Sequence, residues 1–388
     1  MTRAALINLA RNTQVRALAA QVAIVVSAAL LLMWLVGNTA ANLQRIGISF
    51  GFGFLQQAAR FPISESILDY SPSDSFGWAF VVGLGNTLFL ALIVIVAATI
   101  LGTLLALARR STHPLAHGLA GAAVEVLRNT PLVVQLLFWY ALVTVGLPNF
   151  GAAFNPLSNV YLSDRGLYMP GVRFHAGPPF WTILAVSAAA IVTMVLHRRR
   201  VRVRTGHLPR GSLPIIGGTA VLALLCIYLL GDVRADFEPP VRGQYNFIGG
   251  FGLSPEFVAV FAGLVLYTSA FIGEIVRGGI DAISRGQWEA GRAIGFSERQ
   301  TLRLIIMPQA LRIIVPPLTS QYVNTIKNTT LALVVGYPDV AFVAATTMNQ
   351  TGQAVEAILI LMLIFLLLSL TASVFMNWFN RQVALVER

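Results

Sequence analysis

The most regular spacing of residues that could do chemistry lies in the polar segment 277–311. It consists of Glu289-Ala290-Gly291, then Gly295, then Ile305-x-Met307-Pro308. This spacing predicts two short helices, the first with an apolar side that includes Ala293, and a turn in which Gly295 adopts the left-handed conformation that other residues resist. The second helix is expected to be basic, to span 298–306 and to end at Pro308. Such an amphipathic hairpin needs a groove on another protein, although an ordinary surface helix pair would show the same pattern.

A second group of candidates consists of polar residues inside apolar runs, where charges are costly and usually face an interior or a partner. Glu274 and Arg277 are three residues apart and so share a helix face. They are expected to form either a local ion pair that anchors the following segment or a gate that faces a pathway. Lys327, the only lysine, precedes Asn328 and Thr329. Its ammonium could meet a ligand carboxylate, pair with Glu274 or lie at a helix end.

A polar group also precedes the apolar run that begins near residue 131. Pro131 suits the first turn of a helix, and Asn129 or Thr130 would cap it. The group, which includes Arg128, is therefore expected to be a helix start signal, with contact to a transported ligand as the alternative. Gln135 lies one turn into the run and is a candidate amide for the lining of a pathway.

Several kinds of enzymatic chemistry are excluded by the sequence. A phosphate-binding loop needs a lysine directly after glycine, whereas Lys327 follows Ile326. Catalytic triads and metal-ligand clusters are also absent, and His113 with His117 is expected to be a plain loop pair because no carboxylate or cysteine adjoins them. Cys226 is the only cysteine, so no intrachain disulfide forms. We expect no catalytic residue, metal or bound cofactor; any ATP would be bound by another polypeptide.

Composition places these residues in a membrane protein. Of the 388 residues, 56% are hydrophobic and 11% charged, and the mean hydropathy is +0.73. Soluble proteins carry roughly 25% charged residues, so a soluble enzyme or a disordered scaffold is excluded. The net charge of +11 does not indicate nucleic-acid binding, because the basic residues lie in short groups between apolar runs. The sequence predicts a polytopic protein embedded in a lipid bilayer.

A membrane-spanning helix needs ~20 mostly apolar residues, and the sequence contains eight candidates. The predicted spans are residues 17–36, 84–107, 131–148, 180–196, 214–231, 255–276, 312–336 and 355–377. The apolar run of the first span exceeds a signal-peptide core of ~7–15 residues, so an uncleaved helix is favoured. The seventh is the weakest candidate and is expected to be short, kinked or partly re-entrant, because Pro316, Pro317 and Lys327 interrupt it.

The distribution of arginine predicts the orientation of the spans. With both termini in the cytoplasm, twenty arginines fall in cytoplasmic segments and six in outer segments. Cytoplasmic loops of membrane proteins carry this excess of basic residues. The opposite orientation would violate the rule at every loop.

Three segments between spans are long enough to carry their own structure. The outer segment 37–80 contains a Gly- and Phe-rich run that is expected to lie along the membrane interface or to dip into it. The outer segment 149–179 is expected to be a Pro- and Gly-rich loop, and 277–311 is the long cytoplasmic segment. Residues 1–80 are therefore expected to form an N-terminal helix with an outer segment, and residues 81–380 the membrane domain.

The spacing Glu-Ala, four residues, Gly, nine residues, Ile-x-x-Pro resembles the coupling loop of bacterial ABC importer permeases. Gly291 stands where the second alanine is usual, and Met307 where leucine is usual. Other segments resemble the polar amino-acid uptake branch of this family: Gly83-x-x-x-Thr87-Leu88, Arg128-Asn129-Thr130-Pro131, Tyr267–Gly279 and Ile326–Leu331. Segments that resemble the general L-amino-acid permease subgroup are Gly51–Leu55, Phe61–Ser66 and Asp164–Tyr168. The resemblance covers about residues 40–380.

This resemblance implies the all-α transmembrane fold of a type I ABC importer. It implies that a paralogous permease completes the pathway, that two cytoplasmic ATPases hold ATP and magnesium, and that a periplasmic receptor delivers an amino acid. The predicted second, third, sixth, seventh and eighth spans would form the common core, with residues 180–231 as an inserted hairpin. Glu289, Ala290, Gly291, Ala293, Gly295 and Pro308 would contact the ATPase. An inner-membrane location in a bacterium follows from the same resemblance.

The function expected from the sequence is therefore that of a permease subunit of an ATP-driven amino-acid importer. An amino-acid zwitterion needs donors and acceptors within the membrane, and Lys327, Asn328, Thr329 and Gln135 are candidates. The alternative is a secondary transporter driven by an ion gradient. That alternative predicts carboxylates within the spans and an internal repeat, whereas only Glu274 lies near membrane depth.

Overall fold

The computed structural model describes residues 13–45, 51–176, 178–205, 217–219, 221–223, 225–227 and 233–383. The chain divides into two compact units. Met1–Leu136 together with Gly263–Arg388 form the first unit, and Leu137–Ala262 form the second.

The described residues are mostly helical, as expected. The α-helices in chain order are α1 (Thr13–Arg45), α2 (Phe76–Arg109), α3 (Pro114–Asn129), α4 (Leu132–Ala141), α5 (Pro178–Thr205), α6 (Pro255–Asp281), α7 (Arg285–Ala293), α8 (Glu298–Thr301), α9 (Met307–Asn328), α10 (Val340–Thr351) and α11 (Ala354–Val383). The 3-10 helices are Phe52–Gln56, Phe150–Ala152 and Thr329–Val335, and the π-helical turns are Leu142–Gly146 and Leu302–Ile306.

Five helical runs among the described residues are long and apolar enough to cross a membrane. They are Ala20–Thr39, Phe76–Arg109, Pro255–Asp281, Glu298–Val335 and Ala354–Trp378. These runs overlap the first, second, sixth, seventh and eighth predicted spans, and the seventh run begins well before its predicted start at residue 312. Each holds the ~20 apolar residues that a bilayer crossing requires.

The predicted third span, 131–148, does not form one straight crossing. It contains only the 10 residues of α4 and a five-residue π-helical turn, which is too short to cross ~30 Å of hydrocarbon at 1.5 Å per residue. Helices α3 and α4 instead form one pair bent by 106°. The bend follows from Pro131, which pushes Thr130 into an extended conformation with ψ 129°.

The predicted inserted hairpin, residues 180–231, is only partly covered by the described residues. Helix α5 includes a short apolar stretch, Thr182–Val195, within the predicted fourth span. Of the predicted fifth span, residues 217–219, 221–223 and 225–227 are helical, and its remaining residues lie outside the described ranges. The count of eight spans and the cytoplasmic location of both termini stay predictions.

The predicted end of the second hairpin helix at Pro308 is wrong. Helical structure continues from Glu298 through the π-helical turn and α9 to Val335. Pro308 lies in the first turn of α9, where its missing N–H costs little, and a π-helical turn relaxes the hydrogen-bond spacing just before it. The hairpin therefore continues directly into a membrane helix.

Segment 51–75 packs against other parts of the first unit, and its position relative to the membrane interface stays a prediction. Phe54 and Phe61 are buried among aromatic and small side chains of α2, α10 and α11. The amide of Gly51 donates to Glu356 Oε1 at 2.8 Å, and Glu356 is fully buried at the start of α11. This segment is a cap on the bundle, whereas residues 46–50 of the predicted interfacial run lie outside the described ranges.

Helices α2 and α6 approach each other closely within the first unit. A Cβ on Gly102 would lie 2.7 Å from the carbonyl oxygen of Ser269 and 2.8 Å from Ile272. A Cβ on Gly273 would lie 3.1 Å from the carbonyl oxygen of Gly102. Because neither position has space for a larger side chain, the two helices have little freedom to move independently at this crossing.

The second unit contains strands that the sequence analysis did not predict. The strands are β1 (Phe154–Leu157), β2 (Val160–Ser163), β3 (Gly166–Met169), β4 (Gly171–Ala176), β5 (Val233–Glu238), β6 (Val241–Arg242), β7 (Phe247–Ile248) and β8 (Phe251–Leu253). They form one four-stranded sheet, β1-β2-β3-β8, and the pairs β4-β5 and β6-β7, all antiparallel. Runs of two to six residues broken by Gly, Pro and Asn carry too little alternation to be recognised as strands.

The pairing of β4 with β5 brings together the two points of the second unit between which residues 177–232 lie. Gly171 pairs with Glu238 and Ala176 with Val233. The chain therefore leaves this strand pair at Ala176 and returns at Val233, at neighbouring backbone positions. Strand pairing of this kind supports an inserted hairpin without disturbing the rest of the unit.

Candidate coupling surface and pathway residues

The predicted hairpin in segment 277–311 is present and is held by local hydrogen bonds. Ser297 begins the second helix in a capping box: its hydroxyl accepts from the Gln300 amide at 3.3 Å, and its own amide donates to Gln300 Oε1 at 2.9 Å. Serine followed three residues later by glutamine is a sequence signal for such a start, so this cap could have been predicted.

Gly295 ends α7 in the left-handed conformation, with φ 85°. The Phe296 amide donates to the Gly291 carbonyl at 3.0 Å, and the Gly295 amide to the Arg292 carbonyl at 2.9 Å. This pair of bonds terminates a helix when the residue after it adopts positive φ, which glycine does without steric cost. The predicted conformation of Gly295 is confirmed.

Gly291 is buried at the contact between α7 and α8. A Cβ at this position would lie 2.5 Å from Thr301 Cγ2 and 2.7 Å from Thr301 Oγ1. The presence of glycine here, where alanine is usual, therefore has a steric explanation, because Thr301 occupies the space that a Cβ would need. Thr301 is itself fully buried.

Replacing Gly291 with alanine is expected to loosen the hairpin, because the new methyl group overlaps Thr301, at a cost of about 1–3 kcal/mol. Adding Thr301→Ala removes both overlapping atoms and should restore part of the loss. Limited proteolysis of membrane vesicles measures hairpin opening. The control is Gly286→Ala, on the same helix, where no atom lies within 4 Å of the added Cβ. The protease should cleave this control no faster than the original protein. Equal cleavage rates for Gly291→Ala and the control would refute the steric explanation.

The outward side of the hairpin is not covered by described residues. Glu289, Ala290, Ala293 and Gly295 are exposed, and Pro308 at the foot of α9 is exposed as well. The adjoining Ile294 is 65% exposed. These exposed residues, mostly small or apolar but including Glu289, are defined here as the coupling surface and are available to another protein.

The inner side of the hairpin is attached to the first unit. Trp288, Leu302 and Ile305 pack against a buried cluster of α2, α6 and α9 side chains. Gln309 Nε2 donates to Gln287 Oε1 at 3.1 Å and to the Ile305 carbonyl at 2.9 Å. The coupling surface is thus carried on a packed base that can transmit a displacement to the spans.

Glu274 lies at the centre of an ion-pair cluster near the ends of α2 and α6. Its Oε1 is 2.7 Å from Arg277 Nη2, and its Oε2 is 2.6 Å from Arg109 Nη1. Arg277 also contacts Asp281 at 3.0 Å, and Arg110 contacts Asp281. The predicted Glu274–Arg277 pair is confirmed, and the arrangement favours anchoring. The partner Arg109 was missed, although it ends an apolar span at the same predicted depth.

Glu274→Gln should lower the unfolding midpoint of the detergent-solubilised protein, because two arginines would then face each other without the carboxylate between them. Glu125→Gln removes one exposed carboxylate from α3 and is the matched control. A thermal unfolding series compares the two variants. An equal midpoint for both would contradict an anchoring role for Glu274.

The residues around Pro131 stabilise the bend between α3 and α4. Thr130 donates its hydroxyl to the Val126 carbonyl at 2.8 Å, so it closes α3 and does not cap α4. Gln135 is buried and donates to the carbonyls of Leu127 and Thr130 at 2.8 and 3.0 Å. These bonds favour a structural role for both side chains over an open lining of the pathway.

Arg128 is exposed, and its guanidinium carbon lies 5.3 Å from the centre of the Phe271 ring. This cation–π contact ties the end of α3 to α6. The rest of the guanidinium is open to solvent or to a ligand, so contact with substrate stays a prediction for this residue.

The predicted pathway group at the end of α9 is only partly open. Lys327 is exposed and pairs with no carboxylate among the described residues. Thr329 is fully buried, and its hydroxyl donates to the Ile326 carbonyl at 2.8 Å. Asn328 is half-buried. The suggested Lys327–Glu274 pair is absent from the described residues, in which Glu274 pairs with Arg109 and Arg277.

The segment Gly83-x-x-x-Thr87 has a structural explanation. Asn86 Nδ2 donates to the carbonyls of Glu65 and Pro338 at 2.8 and 2.9 Å, and Thr87 Oγ1 accepts from the Val340 amide at 3.1 Å. These bonds join α2 to segment 51–75 and to the turn before α10. Sequence inspection alone offered no partner for either side chain.

Comparison with known proteins identifies the family. The putative amino-acid ABC transporter permease protein YhdX of Escherichia coli is 43% identical over 384 residues, which is 97% of this chain and 96% of that protein. The chain belongs to the amino-acid ABC transporter permeases. The family described as binding-protein-dependent transport system inner membrane component matches residues 212–385 of the permease.

Two further relatives cover nearly the whole permease. The general L-amino acid transport system permease protein AapQ of Rhizobium johnstonii is 39% identical over 361 residues, 92% of this chain and 89% of that protein. The glutamate/glutamine/aspartate/asparagine transport system permease protein BztB of Rhodobacter capsulatus is 33% identical over 407 residues, 97% of this chain and 96% of that protein.

Family membership decides between the expected functions. The permease is a multi-pass membrane protein and a transport subunit of the type I importer fold, and ATP hydrolysis in such importers belongs to separate subunits. The membership in the amino-acid ABC importer permeases that the sequence motifs indicated is confirmed. The alternative of a secondary transporter driven by an ion gradient is not supported.

Proposed function

We propose that this permease is the transmembrane subunit of a binding-protein-dependent, ATP-driven importer of L-amino acids in a bacterial inner membrane. A paralogous permease would complete the pathway, a periplasmic receptor would deliver the amino acid, and two copies of an ABC ATPase would supply the energy. The names of relatives that match over nine-tenths of the chain support this assignment. The positive-inside distribution of arginine supports cytoplasmic termini.

The observation that carries the proposal is the exposed coupling surface on a packed base. When ATP brings the ATPases together, a groove that holds α7 would carry the hairpin with it. Because the hairpin continues without a break into α9, the displacement would reach the membrane helices directly. The bundle would then change between inward- and outward-facing states of similar energy.

The organisation of the chain fits this mechanism. Residues 1–80 would supply an N-terminal helix and the outer cap, and residues 81–380 the transport domain with the inserted hairpin 180–231. For the amino acid, Lys327 would contact the carboxylate, and Asn328 and backbone carbonyls would contact the ammonium. Arg128 would lie along the same route.

Site-specific cross-linking tests the position of the coupling surface. In a Cys226→Ser background, Ala293→Cys would be labelled with a maleimide–benzophenone reagent in native membranes and irradiated. We expect a cross-link between the permease and an ATPase subunit, since Ala293 is exposed on α7. Leu119→Cys, exposed on α3, is the control and should give little of this product. No ATPase adduct at residue 293, or equal adducts at both positions, would contradict the proposal.

A further inference from the structure

The ion-pair cluster at the ends of α2 and α6 extends to the coupling hairpin through one aromatic contact. The guanidinium carbon of Arg110 lies 5.7 Å from the centre of the Trp288 ring. Trp288 is half-buried on the side of α7 away from the coupling surface. Arg110 directly follows α2, so the contact joins α7 to a helix that is far from it in sequence.

The charges of this cluster explain why an aromatic ring is a suitable partner for Arg110. Three cations, Arg109, Arg110 and Arg277, share two carboxylates, Glu274 and Asp281. Asp281 is divided between Arg110 and Arg277, so these ion pairs among the described residues leave one positive charge uncompensated. The electron-rich face of an indole ring attracts such a cation, most strongly where water is partly excluded.

The connectivity gives the contact a mechanical consequence. The covalent chain joins the hairpin to α6 on one side and to α9 on the other, but not to α2. Helix α2 crosses α6 closely at Gly102 and Gly273. A displacement of α7 that pulls on Arg110 would therefore move the ends of α2 and α6 together, as one element.

We propose that Arg110 and Trp288 are positioning residues that couple movement of the hairpin to the α2–α6 pair during ATP-driven import. This inference rests on the proposed function and adds to it the route by which the displacement reaches α2. Neither residue touches nucleotide or amino acid. Their role is to prevent the hairpin from moving without α2.

Paired measurements of uptake and ATP hydrolysis test the role of the contact. The complete complex, with its receptor, would be reconstituted in proteoliposomes, and amino acid imported per ATP hydrolysed would be measured. Trp288→Leu and Arg110→Gln should keep ATPase subunits bound but lower this ratio by about fivefold, the effect of a partly buried cation–π contact. Trp288→Phe and Arg110→Lys, which keep ring and charge, should recover most of it.

Two comparisons separate this role from packing alone. The double variant Arg110→Gln with Trp288→Leu should lose less than the sum of the two single losses, because each single variant already removes the shared cation–π contact, while Arg110→Gln also removes the contact to Asp281. Arg242→Gln removes a matched arginine, whose guanidinium lies 5.6 Å from the Tyr161 ring in the second unit, and should leave the ratio unchanged.

The outcomes distinguish this inference from the proposed function. If the original protein carries no ATPase or imports without ATP, the proposed function itself fails. If all variants assemble and import as many amino acids per ATP as the original, only the positioning role is overturned. Loss of ATPase binding in Arg110→Gln, or additive losses in the double variant, would also overturn it.

Discussion

Gly295→Asp is expected to abolish uptake while the permease remains inserted in the membrane at its normal level. Gly295 has φ 85°, and aspartate tolerates this conformation better than most residues, so the helix end survives. The new charge would lie within the coupling surface and lose its water on docking. An unpaired charge buried at an interface costs at least about 2 kcal/mol, which is roughly 30-fold in ATPase affinity.

Three measurements on this variant separate docking from folding: membrane level, ATPase co-purification and uptake. Gly295→Asn keeps the positive φ accessible without the charge and should retain most ATPase binding. Gly118→Asp adds the same charge to an exposed glycine of α3 with open space around it, and should import normally. An assembled, fully active complex carrying Gly295→Asp would refute the assignment of the coupling surface.

Lys327→Ala is expected to lose uptake of every amino acid, with protein level and ATPase binding intact. The ammonium is exposed near the end of α9 and has no carboxylate partner among the described residues. Its removal therefore leaves no unpaired carboxylate behind among the described residues. A loss of a charge-assisted contact to the substrate carboxylate would cost about 1.5–3 kcal/mol, or roughly 10- to 150-fold in transport efficiency.

Two variants serve as controls for Lys327→Ala, one at the same position and one elsewhere on α9. Lys327→Arg keeps the charge and should retain partial uptake with a changed preference among amino acids. Arg312→Ala removes an exposed cation from the other end of α9 and should leave uptake near normal. Normal uptake by Lys327→Ala would exclude this residue from the substrate pathway.

The apolar spans could be predicted because they depend on local composition, whereas the irregular elements depend on distant partners. Helices α2, α6 and α11 each follow from a continuous apolar run. The bend at Pro131 was missed because the same proline also fits a regular helix start, and the choice depends on Thr130 bonding back to α3. The strands β4 and β5 find each other across an insertion of more than fifty residues, which no local pattern encodes.

The candidate site shows the same division between local and distant causes. The conformation of Gly295 could be predicted because only the chain next to it decides how a helix ends. The small size of Gly291 could not, since it depends on Thr301 in the next helix. Likewise, Glu274 was paired with its neighbour Arg277 from spacing alone, but the Arg109 partner requires the packing of α2 against α6.

If this permease works only as part of an ATP-driven complex, its partners should remain bound when it is isolated from its native membrane. The protein would be solubilised in mild detergent, and everything that co-purifies with it would be identified by mass spectrometry. We expect a second permease of the same family together with an ABC ATPase. Recovery of the chain alone, in a form that imports amino acids in proteoliposomes on an ion gradient without ATP, would contradict it.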